Sequence, residues 1–173
     1  MKNIALVGFM GTGKTTIACL LAEKFKVEFV DIDELIEAKQ QMRIVDIFAE
    51  KGEVFFRQVE KQVVAEIACQ QNKIIACGGG VVLDPENIVN LKQNGILICL
   101  QAKPEVIIER TKDYVHRPLL NVPNPEEKIR GLLKIREIYY AKADYTVDTS
   151  SLSKLQVVGK IESWLKTKNL IAD

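Results

Sequence analysis

Two hydrophobic periods take turns along this chain. Short apolar runs of strand length recur at Asn3 to Val7, Val27 to Val30, Lys73 to Cys77, Ile96 to Leu100 and Tyr145 to Val147, and longer amphipathic stretches separate them. Runs with no alternating polar face are those of strands covered on both sides. The rhythm therefore predicts an α/β fold, a parallel sheet with helices on both faces. Two helix starts are well marked. Asp84-Pro85-Glu86 and Asn124-Pro125-Glu126-Glu127 each offer an N-cap, a proline at the first helical position and acid in the first turn. No internal repeat, low-complexity tract or compositional shift divides the chain, which reads as one domain over residues 1–173.

Two segments break the alternation. Asp33 to Gln71 is too long for a single crossover helix and predicts an inserted helical subdomain, with Gly52 as the break between two helices. Arg110 to Pro125 is polar, holds Pro118, Pro123 and Pro125, and lies between two helices. It reads as a surface loop or as a mobile lid.

Composition narrows the partners. The 173 residues are 47% hydrophobic and 27% charged, with 24 basic against 23 acidic side chains and a formal net charge of +1. That balance points away from a nucleic acid or an anionic membrane as partner. No segment approaches the ~20 apolar residues of a membrane span. The opening apolar run, Ile4 to Val7, goes straight into Gly-rich and charged sequence without a cleavage site. Cys19, Cys69, Cys77 and Cys99 each sit in an apolar run and none forms a C-x-x-C pair. They are expected to be buried thiols in a reducing compartment, the cytoplasm.

The strongest chemical signal is Gly8-Phe9-Met10-Gly11-Thr12-Gly13-Lys14-Thr15, which satisfies G-x-x-x-x-G-K-[ST] between a strand and an amphipathic helix. Glycines let the backbone curl so that successive N–H groups share one concavity, and the helix adds the positive end of its dipole. Gly11, Thr12, Gly13, Lys14, Thr15 and Thr16 are thus candidate ATP ligands. Lys14 is set to reach the β- and γ-phosphates, and the Thr15 hydroxyl to ligate Mg²⁺. The marks of a GTPase are missing: no Asp-x-x-Gly follows the second or third strand, and Asn72-Lys73 lacks the aspartate that reads guanine.

Ligands of open α/β sheets gather beyond the carboxyl ends of the strands. After the second strand stands Asp31-Ile32-Asp33, whose extended alternation would put both carboxylates on one side, one for Mg²⁺ and one for substrate. After the third stands Gly78-Gly79-Gly80, either a plain turn or a place of close backbone approach to a ligand. In the inserted helices, Arg57 and Glu60 share a helix face and can pair, as a surface salt bridge or as a fixed guanidinium. Late in a helix before the last strand comes Arg136-Glu137-Ile138-Tyr139-Tyr140. Two arginines and an aspartate around a phosphate site suit an acceptor with an anionic group and hydroxyls.

The ordered set of P-loop, Asp-x-Asp, Phe-Arg-x-x-Glu, Gly-Gly-Gly, Arg-Pro-Leu-Leu and Arg-x-x-Tyr, spread from Lys2 to about Asp148, resembles the shikimate kinase family. That resemblance implies the three-layer, nucleoside-monophosphate-kinase-like P-loop fold, with a five-stranded parallel sheet in the order 2-3-1-4-5. It also implies transfer of the γ-phosphoryl group of ATP to the 3-hydroxyl of shikimate in aromatic amino-acid biosynthesis, with Mg²⁺ as cofactor and a monomer as working unit. Asp33 would bind the ring hydroxyls, Arg57 and Arg136 would clamp the carboxylate, and Gly79 would offer its N–H. Asp31 would hold the water shell of Mg²⁺. Arg117 would swing in with the lid onto the transferring phosphoryl, and Arg110 would stack on adenine. Asp33, Lys14 and Arg117 are then the catalytic set. Cys77 stands where the family more usually has Thr or Ser, and Ile32 where Ser is frequent, and neither removes a ligand group. His116, beside Arg117, reads as a solvated loop residue, and Trp164 as core packing. A gluconate-type kinase and a non-catalytic ATP-binding module share the P-loop and remain alternatives at this stage.

Overall fold

The computed structural model describes residues 1–112 and 122–171. Five strands, β1 (Asn3–Val7), β2 (Glu28–Asp31), β3 (Lys73–Ala76), β4 (Gly95–Gln101) and β5 (Tyr145–Asp148), form one sheet in the order β2-β3-β1-β4-β5. Every pairing is parallel. The helices among the described residues are α1 (Lys14–Phe25), α2 (Ile32–Gln40), α3 (Ile44–Glu50), α4 (Gly52–Ala68), α5 (Pro85–Gln93), α6 (Pro104–Thr111), α7 (Pro125–Tyr140) and α8 (Lys154–Thr167), with a single 3₁₀ turn at Val81–Leu83.

The pleat sorts the core into two layers. Ala5, Val7, Ile75, Leu97 and Cys99 pack with residues of α2 to α5 on one face, whereas Ile4, Leu6, Ile74, Ile98 and Leu100 pack with α1 and α8 on the other. Successive residues of a strand face opposite sides, so an unbroken apolar run feeds both layers at once. Truncating any of these leucines or isoleucines to alanine should cost roughly 2–5 kcal/mol. A third cluster, Phe9, Met10, Ile107 and Ile129, ties the first loop to α6 and α7.

Local chemistry sets the boundaries. The Asp84 carboxylate accepts from the Glu86 N–H and the Asn124 side chain from the Glu127 N–H, each ahead of a proline in the first turn. Ser153 and Gln156 close a capping box on α8. Strand β2 begins one residue later than its apolar run, because Val27 N–H is committed to Ala22 O at the left-handed end of α1.

Two expectations need correction. Asp31 and Asp33 do not share an extended segment: Asp31 ends β2 and caps α2, and Asp33 is already in the first helical turn, its N–H donating to Asp31 Oδ1 at 2.9 Å. A cap rather than strand alternation sets the two carboxylates together. Cys77 and Cys99 are buried, but Cys19 and Cys69 are exposed. An apolar run wound into a helix points part of itself outward, and Cys69 is the residue that terminates α4.

Between β2 and β3 stand three helices, α2, α3 and α4, with Gly52 opening the third. They wall one side of the space above the sheet's carboxyl edge. No helix among the described residues is long and apolar enough to cross a membrane.

Candidate active site

A cavity of about 1410 Å³ runs along the carboxyl edge of the sheet. One ordinary ligand pocket measures about 300–1,000 Å³, so this space suits two molecules side by side. One end is lined by Gly11 to Thr16, Arg110, Thr149 and the start of α8; the other by Asp33, Phe48, Phe56, Arg57, Glu60, Gly78 to Gly80 and Arg136.

The first end is made from the loop between β1 and α1. Gly8, Gly11 and Gly13 have φ of +140°, +79° and +93°, conformations open to glycine, and a side chain at Gly8 would lie 2.1 Å from Leu100 O. The Phe9 carbonyl turns inward, accepting from Thr12 Oγ1 at 2.7 Å and Lys14 Nζ at 3.0 Å. The loop thereby carries its lysine against its own backbone at the N-terminus of α1, where anions are favoured. Thr15 Oγ1 donates to Asp31 Oδ2 at 3.0 Å, which joins α1 to the end of β2. Burial, then the neighbouring Asp33 charge, pushes the Asp31 carboxyl above its ordinary value.

Arg110 closes this end. Its Nη1 donates to Gly11 O at 3.3 Å and Thr149 Oγ1 at 3.1 Å, and its Nη2 to Thr149 O at 2.9 Å. A planar guanidinium held flat between the P-loop and the β5–α8 connection offers a stacking surface. Thr149, buried at 3%, is the post that holds it. Nothing in the local sequence pattern marked Thr149 for that task.

The second end is built from side chains of separate elements. Arg57, on α4, pairs through Nη1 with Glu60 Oε2 at 2.7 Å and through Nη2 with Glu53 Oε1 at 3.0 Å. Glu60 is 1% exposed, so this is a buried pair and not a surface salt bridge. Burial raises the Glu60 carboxyl above its usual range, and Arg57 partly reverses that. Glu60 Oε1 makes no hydrogen bond among the described residues. Such an acceptor at the cavity wall is costly unless a ligand or water donates to it. Arg136, on α7, is 3% exposed and donates from Nη1 to Gly79 O at 3.1 Å, with its guanidinium carbon 5.7 Å from the Phe9 ring centre. Tyr140 donates to the same carbonyl at 2.6 Å.

Each of the three glycines meets something different. A Cβ at Gly78 would stand 2.8 Å from Asp33 Oδ1 and 3.1 Å from Glu60 Oε1, and one at Gly80 would stand 2.4 Å from Arg57 Nη2. At Gly79 a Cβ would make only ordinary contacts, with Gly8 O at 3.5 Å and with Arg136 Nη1 and Met10 N at 3.6 Å. None of the three has a positive φ. Space for neighbours, not backbone freedom, explains Gly78 and Gly80.

The cavity thus gathers Asp31, Asp33, Lys14, Thr15, Thr16, Arg57, Gly79, Arg110 and Arg136. Arg117 and His116 lie outside the described residues, as does most of the segment expected to be a lid. Glu53 is a site residue that the sequence reading missed; Tyr140 and Thr149 lie in segments it placed at the site, the latter in the loop Asp148 to Ser151 expected beside the adenine, without giving either side chain a role. Glu53 and Tyr140 stand four residues from Arg57 and Arg136, a spacing that places them on the same helix faces and could have found them.

Fold and cavity define the chain as a P-loop nucleotide-binding protein whose second pocket is lined by arginines. A family model described as "Shikimate kinase" matches residues 10–166. The shikimate kinase of Thermoanaerobacter pseudethanolicus is 47% identical over 169 residues, covering 97% of this chain and 99% of that one. That of Thermodesulfovibrio yellowstonii is 48% identical over 161 residues, 93% of each chain. Among solved structures, shikimate kinase from Acinetobacter baumannii in complex with shikimate aligns at a TM-score of 0.94 and 40% identity, over 99% of this chain and 96% of that one. The chain belongs to the shikimate kinase family.

Proposed function

We propose that this protein transfers the γ-phosphoryl group of ATP to the 3-hydroxyl of shikimate. The observation that carries the reading is the convergence on one cavity of a complete P-loop and two buried-side arginines, Arg57 and Arg136, with Asp33 lining the same space. Family membership supplies the acceptor's identity, since the Acinetobacter baumannii relative is described in complex with shikimate.

At the nucleotide end, the N–H groups of Gly11, Thr12 and Gly13 hold the phosphates, Lys14 leaves the Phe9 carbonyl to meet the transferring group, Thr16 contacts phosphate, and Arg110 carries adenine. The donor set fits Mg²⁺: Thr15 Oγ1 and Asp31 Oδ2 are 3.0 Å apart, and the Asp31 carboxyl, raised by burial and then by the Asp33 charge, is one whose ionised form a divalent cation would stabilise. Thr15 would ligate the ion directly and Asp31 through its water shell, as a hard oxygen set suits. Bound there, Mg²⁺ offsets charge on the phosphate oxygens during transfer.

At the acceptor end, the two guanidinium forks hold the carboxylate by charge-assisted bonds, and Gly79 offers its N–H. Asp33 orients the reacting hydroxyl and accepts its proton as the oxygen attacks the γ-phosphorus in line and the bond to the bridging oxygen breaks, releasing ADP. Arg117, with the segment Arg110 to Pro125 acting as a lid, adds positive charge at the transferring group and excludes water. The helices between Asp33 and Gln71 form the acceptor-binding insertion of a single domain. One chain lines the whole cavity, so a monomer suffices. Cys77 and Cys99 are free thiols, which the reducing cytoplasm preserves. Neither nucleic acid nor membrane is expected as a partner, given the balanced charge.

Coupled ADP release with Mg-ATP tests this, comparing shikimate with gluconate, a nucleoside monophosphate and no acceptor. Turnover that requires shikimate is the expected result. Turnover on another acceptor refutes the acid pocket and keeps the kinase; no turnover on any acceptor favours a non-catalytic ATP-binding module.

A further inference from the structure

A clamp made of Arg57 and Arg136 works only if its two arms are held at a fixed separation. Both flank one peptide unit. Arg136 Nη1 donates to Gly79 O, and the Arg57 guanidinium covers the adjoining Gly80, where a Cβ would lie within 2.4–2.7 Å of its atoms. Glu53 and Glu60 hold Arg57, so the orientation of the Gly79–Gly80 peptide sets how far Arg136 sits from it.

A third group holds that peptide. The Tyr140 hydroxyl donates to Gly79 O at 2.6 Å, against 3.1 Å for Arg136. Tyr140 is four residues beyond Arg136 on α7, hence on the same face, and its ring packs into two of the apolar clusters at once. A ring so anchored gives its hydroxyl little freedom. Burial pushes the phenol well above its ordinary pKa, so it stays a donor across the physiological range.

We propose that Tyr140 is a positioning residue for acceptor binding: its hydroxyl fixes the Gly79–Gly80 peptide and thereby the spacing of the Arg57 and Arg136 guanidinium groups. With the hydroxyl gone, the Gly79 carbonyl has Arg136 as its remaining side-chain donor. A half-buried acceptor that loses its shorter bond leans on the donor that remains, so Arg136 is drawn onto the carbonyl and away from the acid. The loss falls on acceptor binding. The P-loop, whose Phe9 ring touches Arg136 but whose backbone bonds are its own, is spared.

The inference rests on the proposed acid clamp, and the two fail differently. Tyr140→Phe keeps the ring and removes one oxygen. Its KM for shikimate, and its Kd by titration calorimetry, should rise about fivefold, with kcat and the KM for Mg-ATP changed by less than about twofold. Because Tyr140 acts through Arg136, adding Tyr140→Phe to Arg136→Ala should raise the shikimate KM by much less than that factor. An unchanged shikimate KM overturns the proposal, as does an equal rise in both KM values or full additivity with Arg136→Ala. A lowered melting temperature without the KM split would mark a merely structural bond and also overturns it. If the unsubstituted protein does not turn over shikimate, the acid pocket itself is at fault. If it does and Tyr140→Phe matches it, this inference alone falls.

Discussion

The two ends of the cavity are made by different means. The phosphate end is almost all one contiguous stretch, Gly8 to Thr15, in which backbone groups and one lysine do the binding and the loop satisfies its own polar atoms through the Phe9 carbonyl. The acceptor end is assembled from α2, α4, the glycine turn and α7, and its cationic groups are held by buried partners from those elements. A local device depends on a few φ angles; an assembled one depends on every contact that spaces its arms. Substitutions at the first end should therefore strike chemistry, and those at the second should strike affinity for the acid.

The largest effect is expected at Lys14. Lys14→Ala should lower kcat by about 10³-fold, the scale on which lost transition-state charge stabilisation is measured. An acceptor KM that rose with kcat unchanged would blur the division between the ends. Next comes Arg136→Ala. Removing a 3% exposed guanidinium should raise the shikimate KM by about 100-fold, by the usual cost of truncating a buried charged contact, with Mg-ATP affinity nearly intact.

Gly80→Ala sharpens the comparison, because it touches no ligand in the proposed scheme. Its Cβ would enter the space of Arg57, whose guanidinium is held by Glu53 and Glu60 and cannot simply swing away. We expect an approximately tenfold rise in the shikimate KM, about one displaced charge-assisted bond. A normal KM, measured on the purified variant, would mean that Arg57 has slack.

The smallest effect is one of pH. The Asp31 carboxyl is raised in the folded protein by burial and by Asp33. A raised acid favours folding when protonated, so its contribution is fully present below the ordinary Asp value of about 4 and is lost as pH rises through the higher folded value. Asp31→Asn keeps a competent helix cap and has no such loss. Without metal, thermal melts should show the variant gaining on its parent as pH climbs from about 3.5 to 7. A gap that stayed constant would remove Asp31 as the source of surplus charge, and with it one argument for the cation site.

The same contrast explains what could be read from sequence. Strands, sheet class and both proline-marked helix starts follow from period and capping, which are short-range. The P-loop is short-range too, so its ligands were legible at once. Arg57 and Glu60 could be paired from spacing, but whether that pair lies on a surface or in the interior depends on packing against β3 and the glycine turn. Asp31 and Asp33 were placed together for the wrong reason, since the extended chain gives way to α2 directly after Asp31 and Asp33 is already helical. Tyr140 and Thr149 bind backbone carbonyls 61 and 48 residues away, a kind of partner that no motif announces.

The central claim is that the acceptor is recognised as an anion by the assembled end. It is tested most directly by comparing shikimate with its methyl ester as acceptor, at saturating Mg-ATP, by coupled ADP release. The ester keeps the ring and the reacting hydroxyl but has no negative charge for Arg57 and Arg136. The account predicts a kcat/KM for the ester lower by about 100-fold or more, mostly in KM. Equal turnover of the two would contradict it, and would leave the two arginines without the role that the cavity suggests.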